Sequence, residues 1–313
     1  MAPHPMKTRT RTALVTIVLA ALALSTGSRT LDAQAHRVFQ SAEDAARALN
    51  DAVSRGNVDD VVAIFGPGGK ELIDSSDPAA AQHNRSVFTV AFAEGWRLVD
   101  DEARKWLVIG NEGWPFPVPL VQEANGWRFD TAAGKEEVLA RRIGRNELTA
   151  IRVARAYVAA QRRYASSGHD GKPAGMYART FRSDPGKQNG LYWVAAHGEP
   201  RSPLGDLLSE AAVERSAATP ARSPSPFYGY NFRILTAQGK AAPGGALDYI
   251  VGGEMARGFA LIAWPAQYDV TGIMTFVVGS DGIVYERDLG RDTVAVARRI
   301  TRYDPGESWS AVN

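Results

Sequence analysis

The chain has 313 residues with 36 basic and 34 acidic side chains, and it contains no cysteine. The lack of cysteine excludes disulfide bonds, thiolate metal sites, catalytic thiols and a lipoprotein anchor. Thirty glycines and seventeen prolines indicate many turns, but no segment is biased enough to predict disorder throughout its length. The length suffices for one large domain or two modest ones.

The first 35 residues have the pattern of a secretory signal peptide. Three basic residues precede an apolar run from Ala13 to Leu24, and Ala33-Gln34-Ala35 supplies the small residues of a cleavage site. Twelve helical residues rise only about 18 Å, short of the roughly 30 Å hydrocarbon core of a bilayer. We therefore expect a periplasmic or secreted protein, cleaved after about Ala35 and without a permanent membrane anchor.

Cleavage at this point changes the net charge. It removes four basic residues and one acidic residue, which leaves 32 basic and 33 acidic residues and a net charge of −1 instead of +2. The basic excess belongs to the leader, so the composition predicts no affinity for nucleic acid or for an anionic membrane.

Helices and then short strands are predicted in the first part of the mature chain. Ser41 is a candidate N-cap for a helix that ends at Arg55-Gly56-Asn57, and a second helix is predicted over 58–65. A third begins at Asp77-Pro78 and runs to about Glu94. The strands that follow predict an antiparallel meander: Arg97–Asp101, Lys105–Gly110, Val118–Glu123 and Gly126–Phe129.

The second part begins with a long helix, predicted over 134–165 because apolar residues recur there at three- and four-residue steps. A loop-rich region over 170–226 holds a short helix at 204–216 and a Pro/Ser linker at 219–226. A terminal helix is predicted over 293–301. The strands between them are predicted at Tyr230–Thr236, Leu247–Val251, Phe259–Trp264, Gly272–Val278 and Ile283–Arg287.

These elements predict the α+β class. The N-terminal helices and small sheet are analogous to an NTF2-like or cystatin-like cone, and the long helix precedes a C-terminal antiparallel sheet. The predicted organisation is a signal peptide over 1–35, an N-terminal α+β lobe over 36–133, a helix and loop-rich connector over 134–226, and a β lobe over 227–313.

Motif searches give no catalytic, metal or cofactor site. The segment Gly66–Lys70 resembles a phosphate loop but follows a helix and lacks the hydroxyl residue after the lysine. Histidines 83, 169 and 197 are scattered without ligand spacing and are interpreted as surface or loop residues. His36 would become the new N-terminus and could there help to bind a metal.

Two aromatic segments are candidate binding sites. Trp114 and Phe116 alternate with prolines in an extended ribbon, where they could stack on a sugar, receive a peptide or seal the end of the sheet. Tyr192 and Trp193 lie close in sequence to Glu199, and this mixture of aromatic and acidic residues could line a pocket.

Three further residues complete the set of candidates. Glu147 follows an arginine on the long helix, where it could form a structural ion pair or serve in general acid/base catalysis. Arg233 and Tyr249, in the predicted C-terminal strands, are candidate ligand contacts.

The chain resembles the bacterial family known as domain of unknown function 2950, from about Phe39 to Trp309. The resemblance implies an exported protein without an established activity. It rests on the segments WPFPVPLV (114–121), GWRFDTAAGKEE (126–137), RRIGRNEL (141–148), GLYW (190–193), GEPRSPLG (198–205), GYNFRILTAQG (229–239), APGGALDYIVGGEM (242–255) and GFALIAWPAQY (258–268).

The chain departs from this pattern at two places. Relatives tend to have a calcium-like acidic loop after the long helix, but here Gly168–Lys172 offers one carboxylate and a lysine, too few oxygens for calcium. Relatives also tend to have glycine where this chain has Asp269. The C-terminal strands additionally resemble the sheet of pseudopilin-like proteins.

Three functions are compatible with these features. The favoured one is a non-enzymatic envelope protein that binds a partner or a glycan through aromatic loops. The alternatives are a hydrolase of envelope polymers, using acids such as Glu147, Glu199 or Asp248, and a subunit of a pilin-like assembly.

Overall fold

The computed structural model describes residues 36–66, 68–73, 78–195, 201–205 and 226–312. The predicted signal peptide, most of the 204–216 helix and most of the 219–226 linker lie outside these residues. The chain divides into two compact units between Arg141 and Arg142, and each unit is described by itself.

The first unit begins with helices whose ends follow from local sequence. Ser41 caps the first helix by accepting a hydrogen bond at Oγ from the Asp44 N–H at 3.0 Å, and Gly56 ends it in the left-handed conformation. Asn57 caps the second helix through Asp60 N–H. The helices are α1 (Ala42–Arg55), α2 (Val58–Phe65), α3 (Gly69–Ile73) and α4 (Pro78–Glu94).

The sheet of the first unit is the predicted antiparallel meander. Its strands are β1 (Trp96–Asp101), β2 (Arg104–Ile109), β3 (Trp114–Pro115), β4 (Leu120–Glu123) and β5 (Gly126–Phe129). They lie in the order β1-β2-β4-β5, and the short β3 pairs with β2 at Val108 and Ile109. The sheet and helices enclose a core rich in phenylalanine, in which Phe65, Phe116 and Phe129 contact one another.

The long helix α5 (Thr131–Ala165) begins three residues before its predicted start. The reason is a cap that periodicity alone does not show: Asp130 Oδ1 accepts a hydrogen bond from Ala133 N–H at 3.2 Å. The boundary between the two units falls within this helix.

The second unit contains a five-stranded antiparallel sheet. Its strands are β6 (Tyr230–Leu235), β11 (Ala260–Pro265), β12 (Met274–Gly279), β13 (Val284–Asp288) and β14 (Ser310–Ala311), in the order β14-β13-β12-β11-β6. Strand β11 is buried along its whole length. A short helix, α6 (Thr293–Arg299), contacts β11. The structure therefore confirms a mixed α+β protein with a long central helix and a C-terminal antiparallel sheet.

The segment predicted as one strand over 247–251 is instead two short strands in separate ribbons. Strand β7 (Ala237–Gln238) pairs with β8 (Leu247–Asp248), and β9 (Ile250–Val251) pairs with β10 (Glu254–Met255). The interruption has a local cause, because Asp248 Oδ1 accepts a hydrogen bond from Ile250 N–H at 3.2 Å and turns the chain.

Tyrosine hydroxyls tie the core of the second unit together. Tyr157 donates to the Ala260 carbonyl at 3.1 Å, Tyr230 to the Met274 carbonyl at 2.9 Å, and Tyr303 to Asp281 Oδ2 at 2.9 Å. The pKa values of all three phenols are raised above the usual range, mainly by burial. The apolar rings fill the core while each hydroxyl fixes a neighbouring segment.

Candidate functional site

Two adjoining cavities open in the second unit, around the loop that follows α5. The first, named here the Tyr177 cavity, has a volume of about 340 Å³, and the second, named the Tyr192 cavity, about 330 Å³. Asp184 lines both. Together they form the cleft. Its walls come from the C-terminal end of α5, the loop over 166–195 and the β9–β10 hairpin.

Gln161 holds the loop against α5. Its side chain is fully buried, and its amide accepts from the Ala178 N–H at 2.9 Å and donates to the Ala178 carbonyl at 2.7 Å. The same amide nitrogen donates to Tyr157 Oη at 3.1 Å. The Gln161 side chain thus satisfies the Ala178 backbone as a neighbouring strand would. The adjacent Tyr177 N–H donates to the Met255 carbonyl.

An aromatic stack forms one wall of the cleft. The His169 ring lies on Tyr164, with centroids 4.1 Å apart and an interplanar angle of 22°, and it is tilted by 57° to the Trp193 ring, whose centroid lies 5.6 Å away. Nε2 of His169 lies 3.0 Å from the Tyr164 carbonyl, and Nδ1 lies 3.3 Å from Gln188 Oε1. The isolated histidine predicted from sequence is therefore held by contacts on both ring nitrogens.

Tyr164 and Asp170 fix the loop near its middle. The Tyr164 hydroxyl donates to the Gln188 carbonyl at 2.9 Å, and both Asp170 carboxylate oxygens accept from the Gln188 N–H at 3.0–3.1 Å. Burial, followed by the negative charges of Asp170 and Glu254, raises the pKa of Tyr164 to about 12. The phenol therefore stays neutral at physiological pH, and its O–H group donates the hydrogen bond to the Gln188 carbonyl.

Charges of both signs line the Tyr177 cavity. Lys172 Nζ lies 2.8 Å from Glu254 Oε1, and Arg179 Nη1 donates to the Gly253 carbonyl at 2.9 Å. Asp184 accepts hydrogen bonds from Asn189 and then Lys187, and these two contacts lower the pKa of its carboxyl. The wall is polar and rich in both donors and acceptors, with the charges close to balance.

The Tyr192 cavity is built where two segments approach closely. Gly190 packs against the Arg182 backbone, and a Cβ at this position would lie 2.6 Å from the Arg182 carbonyl carbon. The Arg182 guanidinium lies over the Tyr192 ring at 5.3 Å from its centroid. Val194 is 84% exposed at the rim, and Trp193, by contrast, is 8% exposed.

The structure thus brings two of the predicted site residues, Tyr192 and Trp193, to the cleft. Glu199, predicted in the same group, lies outside the described residues. Sequence reasoning did not select Tyr177, Arg179 or Asn189, which line the Tyr177 cavity. No local motif marks these three, because Gln161 and the β9–β10 hairpin bring them to the cleft through contacts distant in sequence.

Trp114 and Phe116 lie in the first unit. Phe116 is 1% exposed and its ring contacts three other phenylalanines, so it seals the core and presents no surface to a ligand. Trp114 is half-buried, with its ring edge on Phe116 and the Arg141 guanidinium 5.8 Å from its centroid.

Glu147, Arg233 and Tyr249 occupy structural positions in the second unit. Glu147 Oε1 accepts from the N–H groups of Ile273 and Met274 at 2.9 and 3.0 Å, so backbone amides take the place of the expected arginine partner. Arg233 donates to the carbonyls of residues 297, 298 and 300 at the end of α6, and burial lowers its pKa. Tyr249 is 1% exposed and donates to Gln238 Oε1.

The two departures from the family pattern are accommodated by aspartate. Asp269 has φ 60° and Asp170 has φ 50°, and both lie in the left-handed region that aspartate tolerates better than most residues. Within the described residues, no three histidine, aspartate or glutamate side chains group as metal ligands. The described helices also include none that is both long and apolar enough to cross a membrane.

The fold and cleft define a two-unit α+β protein with a polar, aromatic-walled site. The chain belongs to the family described as "Protein of unknown function (DUF2950)", whose model matches residues 36–312. No curated protein and no solved structure matches the chain. These comparisons therefore do not show the pilin-like resemblance of the C-terminal strands.

Proposed function

We propose that the protein is an exported envelope protein that binds a glycan, without catalysis, in the cleft of the second unit. The observation that carries this proposal is the pair of adjoining cavities, of about 340 and 330 Å³, on either side of Asp184. Volumes of this size suit one small ligand or one sugar unit each.

The chemistry of the walls favours a neutral, hydroxyl-rich ligand. The Tyr177 cavity offers carboxylates, an amide, hydroxyls and cationic groups in near balance, so it can both donate to and accept from sugar hydroxyls. Tyr177 and Tyr192 add ring surfaces with negative faces, which suit the slightly positive C–H edges of a pyranose.

The contacts of the acidic side chains support binding rather than hydrolysis. A glycosidase needs two carboxyl groups that flank a scissile bond, one to protonate and one to attack or activate water. Glu147 Oε1 already accepts two backbone N–H bonds, Asp170 accepts from Gln188, and Glu254 pairs with Lys172. Each of these carboxylates has a structural partner.

Export is supported by the basic n-region, apolar run and small-residue site in the leader, together with a family match that begins at residue 36. Mass spectrometry of protein recovered from the periplasm would show a mature chain that begins near His36. Recovery of the intact chain in the cytoplasm would contradict this part of the proposal.

The binding part is tested by cosedimentation with purified peptidoglycan sacculi. We expect Tyr177→Ala and Tyr192→Ala each to weaken retention about tenfold, because each removes a ring face from one cavity. Tyr268→Ala is the matched control, since this tyrosine lies on a turn and bonds to Asp288 instead of lining the cleft. Equal retention of all three variants and the parent would refute glycan binding in the cleft.

A further inference from the structure

A row of arginines covers the outer face of α5 within the second unit. All six are exposed, and the chain has no acidic residue between positions 148 and 169. At 100° per residue, they fall within an arc of roughly 160°, and along the axis they extend over about 31 Å. The arginine row consists of Arg142, Arg145, Arg152, Arg155, Arg162 and Arg163.

Within the described residues, three arginines of the row contact only neutral acceptors, which leaves their charges uncompensated. Arg152 donates to Thr149 Oγ1, Arg162 to the Ser280 carbonyl and Arg163 to the Arg201 carbonyl, and all three acceptors are neutral. Leu148, 55% exposed, lies in the same arc and adds an apolar side chain among the cations. The apolar face of the helix is buried in the core, so attraction to an anionic surface would come from the exposed basic face.

The charge of the whole unit has the same sign. Residues 142–313 contain 21 basic and 16 acidic residues, a formal charge of +5, whereas residues 36–141 contain 11 basic and 17 acidic residues, a formal charge of −6. The near-neutral mature chain therefore consists of two oppositely charged units. Only the second has the sign that attracts an anionic surface.

We propose that the arginine row docks the second unit on a bilayer surface that contains anionic phospholipid. The row extends over about 31 Å of the helix, so its guanidinium groups do not converge on one phosphate, and they suit the many headgroups of an extended surface instead. Within roughly a Debye length of such a surface, each basic residue adds a similar increment of attraction. This inference is independent of glycan binding in the cleft.

Vesicle cosedimentation of the full mature chain tests the proposal. We expect binding to vesicles of phosphatidylcholine with one third phosphatidylglycerol, weaker binding as salt increases, and no binding to pure phosphatidylcholine. Replacing Arg152, Arg155 and Arg163 together by glutamine should lower the partition coefficient about a hundredfold. Circular dichroism would verify that the exposed substitutions leave the fold intact.

The matched control replaces Arg257, Arg298 and Arg299 by glutamine. These arginines are also exposed in the second unit, so the control makes the same change in net charge away from the row. It should keep at least a third of the parent's partition coefficient. Equal loss in both triple variants, or no binding to anionic vesicles alongside capture of RNA in the same buffer, would overturn the proposal. Tyr177→Ala should bind vesicles like the parent, which separates this test from that of the cleft.

Discussion

The two units solve the same packing problem with different aromatic residues. Residues 36–141 contain no tyrosine, and their core is built around phenylalanine rings. All ten tyrosines lie in residues 142–313, where the rings fill the core and several hydroxyls bond to backbone or acidic groups.

This difference shows why the cleft lies in the second unit. A phenylalanine ring offers no hydrogen-bonding group, so it stabilises a fold without fixing loops that lack secondary structure. A tyrosine or glutamine in the core can satisfy the backbone of such a loop, as Tyr164 and Gln161 do for the segment around Ala178 and Gln188. Polar anchors of this kind hold the irregular chain that lines the cavities.

The largest expected difference between the two units is in their stability at alkaline pH. The raised pKa values of Tyr164 and Tyr249, both about 12, mean that the folded second unit retains protons that the unfolded chain loses above pH 10. The stabilisation is complete below pH 10 and is lost as the pH rises through 12. We expect the second unit to unfold in this window while the first, which has no tyrosine, remains folded.

Fluorine NMR of protein labelled with fluorotryptophan can follow both units in one titration. The first unit contains Trp96, Trp106, Trp114 and Trp127, and the second contains Trp193, Trp264 and Trp309. Signals of the second group should reach unfolded positions together with the rise of tyrosinate absorbance. If all seven signals changed in one common transition, the prediction that the second unit unfolds before the first would be wrong.

Phe116→Ala should destabilise the first unit by about 3–5 kcal/mol, because it removes a buried ring and leaves a cavity among three phenylalanines. Phe276→Ala is the matched change in the second unit, where the parent ring is also 1% exposed. Hydrogen exchange followed by mass spectrometry would measure protection in each unit. Equal loss of protection in both units from either variant would show that they do not unfold separately.

Gln161→Leu should cost about 2–4 kcal/mol in the second unit, because the Ala178 N–H and carbonyl both lose a buried partner. The same change should release the loop next to Tyr177 and weaken sacculus binding. Tyr157→Phe removes the hydroxyl bonds to Ala260 and Gln161 but leaves both bonds between Gln161 and Ala178, so it is expected to cost only about 1–2 kcal/mol. If both variants were equally stable in urea unfolding, the anchoring role of Gln161 would be refuted.

Much of the secondary structure follows from local sequence. Ser41, Asn57 and Gly56 mark helix ends through capping groups close in the chain, and the period of the long helix is visible without tertiary information. The 247–251 segment was predicted wrongly because its composition favours a strand, whereas the Asp248 side chain turns the backbone within it.

The candidate site was predictable only in part. Tyr192 and Trp193 were predicted because they form a mixture of aromatic and acidic residues with nearby Glu199, and both aromatic residues border a cavity. Phe116, Glu147, Arg233 and Tyr249 have the residue types of binding sites, but burial or hydrogen bonds to distant backbone give them structural positions. Sequence patterns do not distinguish a polar group that binds a ligand from one that satisfies the fold.

The sequence by itself determined the α+β class, the order of most elements and the family, because these depend on local propensity, periodicity and characteristic sequence segments. Only the tertiary structure decided which loop segments meet around Asp184, and it divided residues 36–313, with a net charge of −1, into units of −6 and +5. Contacts such as those between Gln161 and Ala178 join residues 17 positions apart. Such pairings depend on how the whole chain closes its core, and local sequence does not encode them.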